Sequence, residues 1–477
     1  MLAIVVSRAD SASAHVGARL RGITEWTEHT DSSRPDASGG GTVYRTDTVE
    51  LREFDDLHLE LDGVADAFGR VDGGDERTEP DLLVFASRHA GETGPLLTAH
   101  HTGNVGPAEY GGEPGAFARA CPNAHRRVLA ALREHAPDGY EVGMEATHHG
   151  PTDVGVPSMF VEVGSDEPQW EDPAAAEAVA RAILTLADTG PDAPGENGTR
   201  RQLVGLGGGH YAPRFERIIG ETDWAVGHVA PDWGLDAMGD PDRNREVISR
   251  AFEASAADYA VVEGDRSDLE RVVDELGYRA VSETWVRETT GIPLDLVAVA
   301  EDRLGSVDEG VRFGDRATGH EGDADDVLAV VALPGDLLAE AQGIDGEAAR
   351  AAVERATVAF ETSESGTRAE GRALVEGATG PDTASFFAVD PDGRALVDDL
   401  AAVLEAKYET VDRTDGVVVA SESAFDPDRA RTLGVPDGPK LGRLAEGEPV
   451  TVDGDEIDPS VVHVEREHRF PVGDSTE

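Results

Sequence analysis

The chain has 477 residues, and its 95 Asp and Glu against 41 Lys and Arg give a formal charge of −54, with Lys407 and Lys440 its only lysines. Self-repulsion on that scale penalises a compact state unless salt screens it; at 1 M salt the Debye length falls to roughly 3 Å, so the composition points to the salt-filled cytoplasm of a halophilic archaeon. One cysteine, Cys121, excludes internal disulfides and thiolate zinc fingers, and no apolar run is long enough for a membrane span.

From the N-terminus, residues 1–10 are too short and wrongly flanked for a secretory signal, so a soluble cytoplasmic protein is expected. Short apolar runs then predict strands at 2–7, 49–54, 81–87, 96–100, 140–147, 159–164, 202–207, 224–229 and 259–263. Between them lie helical patterns. In 122–134, His125, Val128, Leu129 and Leu132 share a face, with His125 read as structural. Asp172-Pro173 supplies an N-cap and a first-turn proline for a helix lined by Val179, Ile183 and Leu186. This alternation predicts an α/β domain with a mixed, largely parallel sheet flanked by helices.

Polar stretches at 27–41, 69–80 and 188–200 read as surface loops. GDRATGHEGDADD, from Gly314, is the best linker candidate, and 340–380 is biased to Ala, Glu and Gly. A compact region is expected to resume at 384–421 as a small α+β unit. The organisation expected is a catalytic domain over 1–316 and an acidic linker with an accessory module over 317–477.

Chemistry concentrates at predicted strand exits. GMEATHHGP (143–151) carries Glu145, His148 and His149, and FASRHAGETG (85–94) carries Arg88 and His89. LTAHHTGN (97–104) carries His100 and His101, and GLGGGHYAPRF (205–215) carries Gly207, Gly208, Gly209 and His210. In open α/β sheets ligands collect beyond the carboxyl ends of strands, so parallel neighbours would bring these groups into one crevice. Glycines there let backbone approach a ligand closely, and the following helix N-terminus can receive an anion. His228, inside the apolar WAVGHVA, reads as a satisfied core histidine. The glycine run does not match a dinucleotide fingerprint or a P-loop. Imidazole and carboxylate without thiols suit zinc, yet neither HExxH nor HxHxDH occurs, so spacing alone gives a metal hydrolase class and no more. The missing basic face does not exclude RNA, because counterion release contributes little in high salt.

Taken in order, SRH (87–89), AHHTGN (99–104), MEATHHGP (144–151), FVEVGS (160–165) and GGGHYAPRF (207–215) resemble the archaeal and plant-type D-aminoacyl-tRNA deacylases over about 1–290. That resemblance implies a fold related to peptidyl-tRNA hydrolases and nucleoside phosphorylases. It also implies hydrolysis of the ester between a D-amino acid and tRNA, by a monomer with two zinc ions and no obligate protein partner. On this reading His100, His149 and His210 hold metal, and Glu145 and His148 form an acid/base pair. Arg88 and His89 hold the substrate, with further contacts from His101, Gly207, Gly208 and Gly209. An alternative leaves the chemistry to the 2′-hydroxyl of the tRNA, with the protein orienting the ester. GVPDGPKLGRLAEGEPVTVDG (434–454) is similar to a segment near the end of tRNA 3′-processing endonucleases of the tRNase Z type, so 317–477 is read as a module that helps position the acceptor end or, equally, as a salt-adapted spacer with a small fold. A zinc amidase or peptidase on small substrates, or a non-catalytic tRNA-binding protein, are the competing classes.

Overall fold

The computed structural model describes residues 1–73, 78–196, 199–318, 320, 328–376, 386–387, 390–414 and 416–472. The chain forms two compact units, Met1–Thr290 and Gly291–Glu477.

The first unit is built on an eight-stranded sheet of β1 (Leu2–Ser7), β2 (Thr27–Asp31), β3 (Gly41–Arg45), β4 (Val49–Phe54), β5 (Leu82–Arg88), β6 (Leu96–His100), β7 (Glu141–Met144) and β8 (Ser158–Gly164). Its order is β2-β3-β4-β1-β5-β8-β6-β7. The central strands β4, β1, β5 and β8 run parallel. Of these, β1, β5 and β8 are apolar almost throughout and buried on both faces, as parallel strands covered by crossover segments must be. Two hairpin-type pairings, β2 with β3 and β3 with β4, finish one edge. At the other edge β6 pairs antiparallel to β8 and parallel to β7, so β6 and β7 run against the rest of the sheet.

Helices α1 (Ser11–Ile23), α2 (Pro122–His135) and α4 (Pro173–Leu184) pack side by side over one face; a single turn, α3 (Glu167–Trp170), precedes α4. Their starts follow from local chemistry. Asp10 accepts from the Ala12 and Ser13 amides, and Asp172 accepts from the Ala174 amide ahead of Pro173. The opposite face carries Phe85 and Phe160, stacked at 4.5 Å and packed with Phe54, Val64 and Phe68. Beyond the short pair β9 (Gly195–Glu196) and β10 (Thr199–Arg200), a second sheet is wholly parallel. It comprises β11 (Gln202–Leu206), β12 (Ala225–Ala230), β13 (Tyr259–Val262) and β14 (Arg279–Val281), in the order β12-β11-β13-β14.

All nine predicted strands form, and the mixed α/β class holds. Three differences have physical reasons. The stretch 27–41 contains β2, whose residues are mostly exposed, so it shows no apolar alternation to read. β7 is shorter than 140–147 because beyond Met144 the chain turns to the His210 segment, Glu145 bridging Tyr211 and the Ala146 amide donating to the His210 carbonyl. The stretch 340–380 is not a gap before a compact region: helices Gly335–Ile344 and Gly346–Ala356 and strands Ala359–Ser363 and Arg368–Glu376 occupy most of it.

In the second unit these elements share a core of Leu337, Val353, Phe360, Phe387, Leu400 and Phe470. Its two larger sheets are antiparallel. The segment 434–454 contributes Val435, Leu444 and Val450 to a small separate core with Ala430 and Val462. The linker candidate from Gly314 falls largely outside the described residues. Among the described residues no helix is long and apolar enough to cross a membrane.

Candidate active site

The site lies on the Phe160 face of the first sheet, and strand alternation selects its members. Phe85, Ser87 and His89 project to one side of β5, and Phe160 and Glu162 to the same side of β8. On β6, His100 sits opposite Phe160 and stacks on its ring at 5.4 Å, while Thr98 sits opposite Glu162. Because β6 is antiparallel to β8, His100 and Glu145 approach from the opposite end of the sheet to His89. The groups therefore meet over a face. The predicted convergence beyond parallel strand ends does not occur.

Two further segments close the cluster. GGGHYA runs beside the end of β7: Glu145 and Tyr211 form a bridge, the Ala146 amide donates to the His210 carbonyl at 2.8 Å, and the Ala212 amide to the Met144 carbonyl at 3.0 Å. The Thr147 amide donates to the Val229 carbonyl at 2.9 Å, which ties the same loop to β12. Gly207 and Gly208, with φ of 105° and 86°, permit the turn into this segment. A Cβ on Gly207 would come within 2.5 Å of the Glu263 carbonyl oxygen, and one on Gly208 within 2.9 Å of the Glu263 carboxylate. These glycines serve backbone packing against Glu263. His149 holds a φ of 47°, a left-handed conformation that costs energy for a non-glycine residue and is concentrated at functional sites.

Glu145 is the hub. Its Oε1 lies 3.1 Å from His89 Nδ1, and its Oε2 lies 2.9 Å from His210 Nε2 and 3.6 Å from His148 Nε2. Glu162 lies 3.8 Å from both His89 Nδ1 and His100 Nε2. The rings of His100, His148 and His149 are mutually 4.3 to 4.9 Å apart. Tyr211 Oη is 3.0 Å from His89 Nε2. Glu145, Glu162 and His100 are almost wholly buried, whereas His210 keeps 36% of its side-chain surface and forms the mouth.

The electrostatics follow from burial and this crowding. Burial would raise Glu145, but the His210 and His89 rings against its two oxygens, with His100 and His148 nearby, hold it well below the usual carboxylate range. Burial raises Glu162, and the charge on Glu145 adds to it. His89 and His100 are pushed down by burial yet end above the ordinary histidine value, because Glu145 and Glu162 favour their protonated forms. Burial, then repulsion from His100, drives His148 well down and His149 to about 3, so these two rings are neutral with a lone pair free.

Both Glu145 oxygens and His100 Nε2 are buried without a well-formed hydrogen bond, a state that a bound cation would relieve. Three overlapping sets place their ligating atoms within 4.8 Å of one another: His100, His148 and His149; Glu145, His148 and His210; and His89, Glu145 and Glu162. Imidazole nitrogens with carboxylate oxygens are a donor set for zinc and similar borderline ions. The residues present fit such a metal.

Seven side chains thus converge, six from the motifs singled out by sequence and Glu162 in addition. Arg88 and His101 do not join them. Arg88, directly before His89, lies on the opposite alternation of β5, stacks over Trp170 at 5.0 Å and donates its amide to Asp10. His101 points away from His100, as adjacent strand residues do. Its Nδ1 meets the Gly227 carbonyl at 3.0 Å, and its Nε2 accepts from the Cys121 amide at 3.1 Å. It belongs to a second, interior group with His125 and His228, whose bonds to the Ala99 and Ala118 carbonyls bear out their reading as structural. Glu162 and Tyr211 were both inside quoted motifs but carried no role. The signal for Glu162 was a lone carboxylate in the strand MFVEVG, which could stay buried only with partners.

Residues 76–281 match the family model described as D-aminoacyl-tRNA deacylase. The chain is 55% identical over 474 residues to a D-aminoacyl-tRNA deacylase of Haloarcula marismortui, covering 98% of this chain and 100% of the relative. It is 54% identical over 496 residues to one of Halorubrum lacusprofundi, covering 100% and 98%. A crystal structure described as a conserved protein of unknown function is 27% identical with a TM-score of 0.52, covering 61% of this chain and 98% of that one.

Proposed function

The chain belongs to the D-aminoacyl-tRNA deacylase family and is a hydrolase of D-aminoacyl-tRNA; from that premise we propose that the cluster around Glu145 is where the ester is cleaved. The observation that carries this is the burial of both Glu145 oxygens among three imidazoles with no well-formed hydrogen bond. Two of the three candidate ligand sets share no residue, which supports two zinc ions per chain: one held by His100, His148 and His149, the other by His89, Glu145 and Glu162. When bound, zinc supplies a Lewis acid for the ester carbonyl and lowers the pKa of a coordinated water to about 7.

The protein's own groups complete the reading. His210, at the mouth and oriented by Glu145 Oε2, takes the proton of the attacking water. This exchanges the roles of His148 and His210 relative to the sequence expectation, because His210 is the more exposed ring. Tyr211 Oη, bonded to His89, donates to the leaving 3′-oxygen of the tRNA. Arg88 acts at a distance, by holding Trp170 and the start of α1 through Asp10, and His101 supports the sheet behind His100. The 317–477 module is read as an accessory that positions the acceptor end, on a monomer working in a saline cytoplasm.

The test is release of D-tyrosine from D-tyrosyl-tRNA in molar salt, with L-tyrosyl-tRNA as control and zinc counted by mass spectrometry. The reading expects two zinc ions per chain and loss of activity on chelation, restored by zinc. Full activity in metal-free protein would remove the metal from the account. No release of D-tyrosine by zinc-loaded protein would favour a small-substrate amidase or a binding protein.

A further inference from the structure

The first unit exposes two large aromatic side chains, and each sits on a segment hydrogen-bonded to a loop that carries a cluster histidine. Tyr110 is 67% exposed and Trp233 52%, the only large aromatics exposed to that degree among the described residues. The Tyr110 carbonyl accepts from the Gly150 amide at 2.9 Å, one residue beyond His149. Trp233 lies on α5 (Asp232–Met238), whose first amide donates to the Gly208 carbonyl at 2.8 Å, two residues before His210. The two carriers also touch each other. A Cβ on Gly106 would lie 2.9 Å from Ala237 Cβ, and one on Gly234 3.3 Å from Val105 Cβ. Tyr110 and Trp233 therefore stand on two touching segments, one bonded to the residue after His149 and the other to the loop that carries His210.

We infer that Tyr110 and Trp233 are stacking posts for the unpaired bases at the 3′ end of the tRNA, an inference that rests on the deacylase reading. A net charge of −54 disfavours a grip on phosphates through a broad basic field, and molar salt weakens such contacts anyway. Stacking of bases on aromatic rings tolerates salt and any base sequence, and suits a single-stranded end. The acids beside Trp233 are partly neutralised, since Arg266 binds Asp232 at 2.7 Å and Asp236 at 3.5 Å. The rings hold the terminal nucleotides so that the esterified ribose falls at His210 and Tyr211.

The experiment uses the full chain in molar KCl. W233A and Y110A are expected to raise KM for D-tyrosyl-tRNA by about ten-fold each with kcat nearly unchanged, while W233F stays near wild type. Uncharged tRNA should quench wild-type tryptophan fluorescence, and tRNA trimmed of its terminal CCA should not; in W233F the quenching should vanish. KM within two-fold of wild type in both alanine variants, or equal quenching by trimmed tRNA, would overturn the inference. Because quenching uses uncharged tRNA, it judges the stacking posts even if the wild-type protein released no D-tyrosine.

Discussion

At the residue scale, the cluster works by forcing like and unlike groups into a dry space where each fixes the state of the next. Glu145 stays ionised because the His89 and His210 rings lie against its oxygens and His100 and His148 stand near, and His148 stays neutral because burial and its histidine neighbours forbid a second charge. Tyr211→Phe removes a hydroxyl 3.0 Å from His89 without altering shape. It should lower kcat by about ten-fold or more while the melting temperature barely moves, since a single hydrogen bond is worth only about 1 kcal/mol net. An unchanged kcat would remove Tyr211 from the reaction. Six members of the cluster were legible because histidine is scarce in this chain and gathers in four short motifs. Glu162 was not, since a carboxylate inside an apolar strand has no local pattern to announce it. His101 was misplaced because adjacency in sequence resembles adjacency in space until the strand's alternation sends the pair to opposite faces.

At the element scale, the turn 207–209 and the contact between α2 and β12 set the geometry. Gly207→Ala must shift a backbone carbonyl at 2.5 Å and adopt an unfavourable φ of 105°. It should displace His210 and Tyr211, lose most activity, and destabilise the fold by about 1–3 kcal/mol. A fully active variant would show that the turn does not position them. Behind the site, burial pushes both His125 and His228 down to about 4. In the unfolded chain each takes a proton near pH 6.5, so the unfolded state binds more protons between those values. Folding stability contributed by these two rings is thus complete above pH 6.5 and is lost as pH falls towards 4. Urea titrations should show that slope, and His228→Gln should reduce it by up to one proton; an unaltered slope would contradict the assignment. Strand positions were readable from apolar runs, but strand direction was not. Nothing local distinguishes an antiparallel β6 from a parallel one, and that reversal decides whether the histidines meet at an edge or over a face.

At the scale of the whole molecule, charge decides where the fold is stable. The relatives of highest identity named above come from haloarchaea, which agrees with the composition. Surface arginines are largely committed to carboxylates, as where Glu283 gathers Arg214, Arg217 and Arg287, yet the excess of acid remains. Such exposed pairs add little stability individually. Melting temperature should rise with KCl as the Debye length shrinks to roughly 3 Å near 1 M, and the chain should lose its fold in dilute buffer. An equal melting temperature in both would contradict this. The central claim is tested most directly by single-turnover release of D-tyrosine from D-tyrosyl-tRNA in molar KCl, comparing wild type with Glu145→Gln. The substitution keeps size and removes the charge on which the cluster turns. The account predicts a rate lower by at least about 100-fold in a protein with an unchanged circular dichroism spectrum; a rate within two-fold of wild type would contradict it.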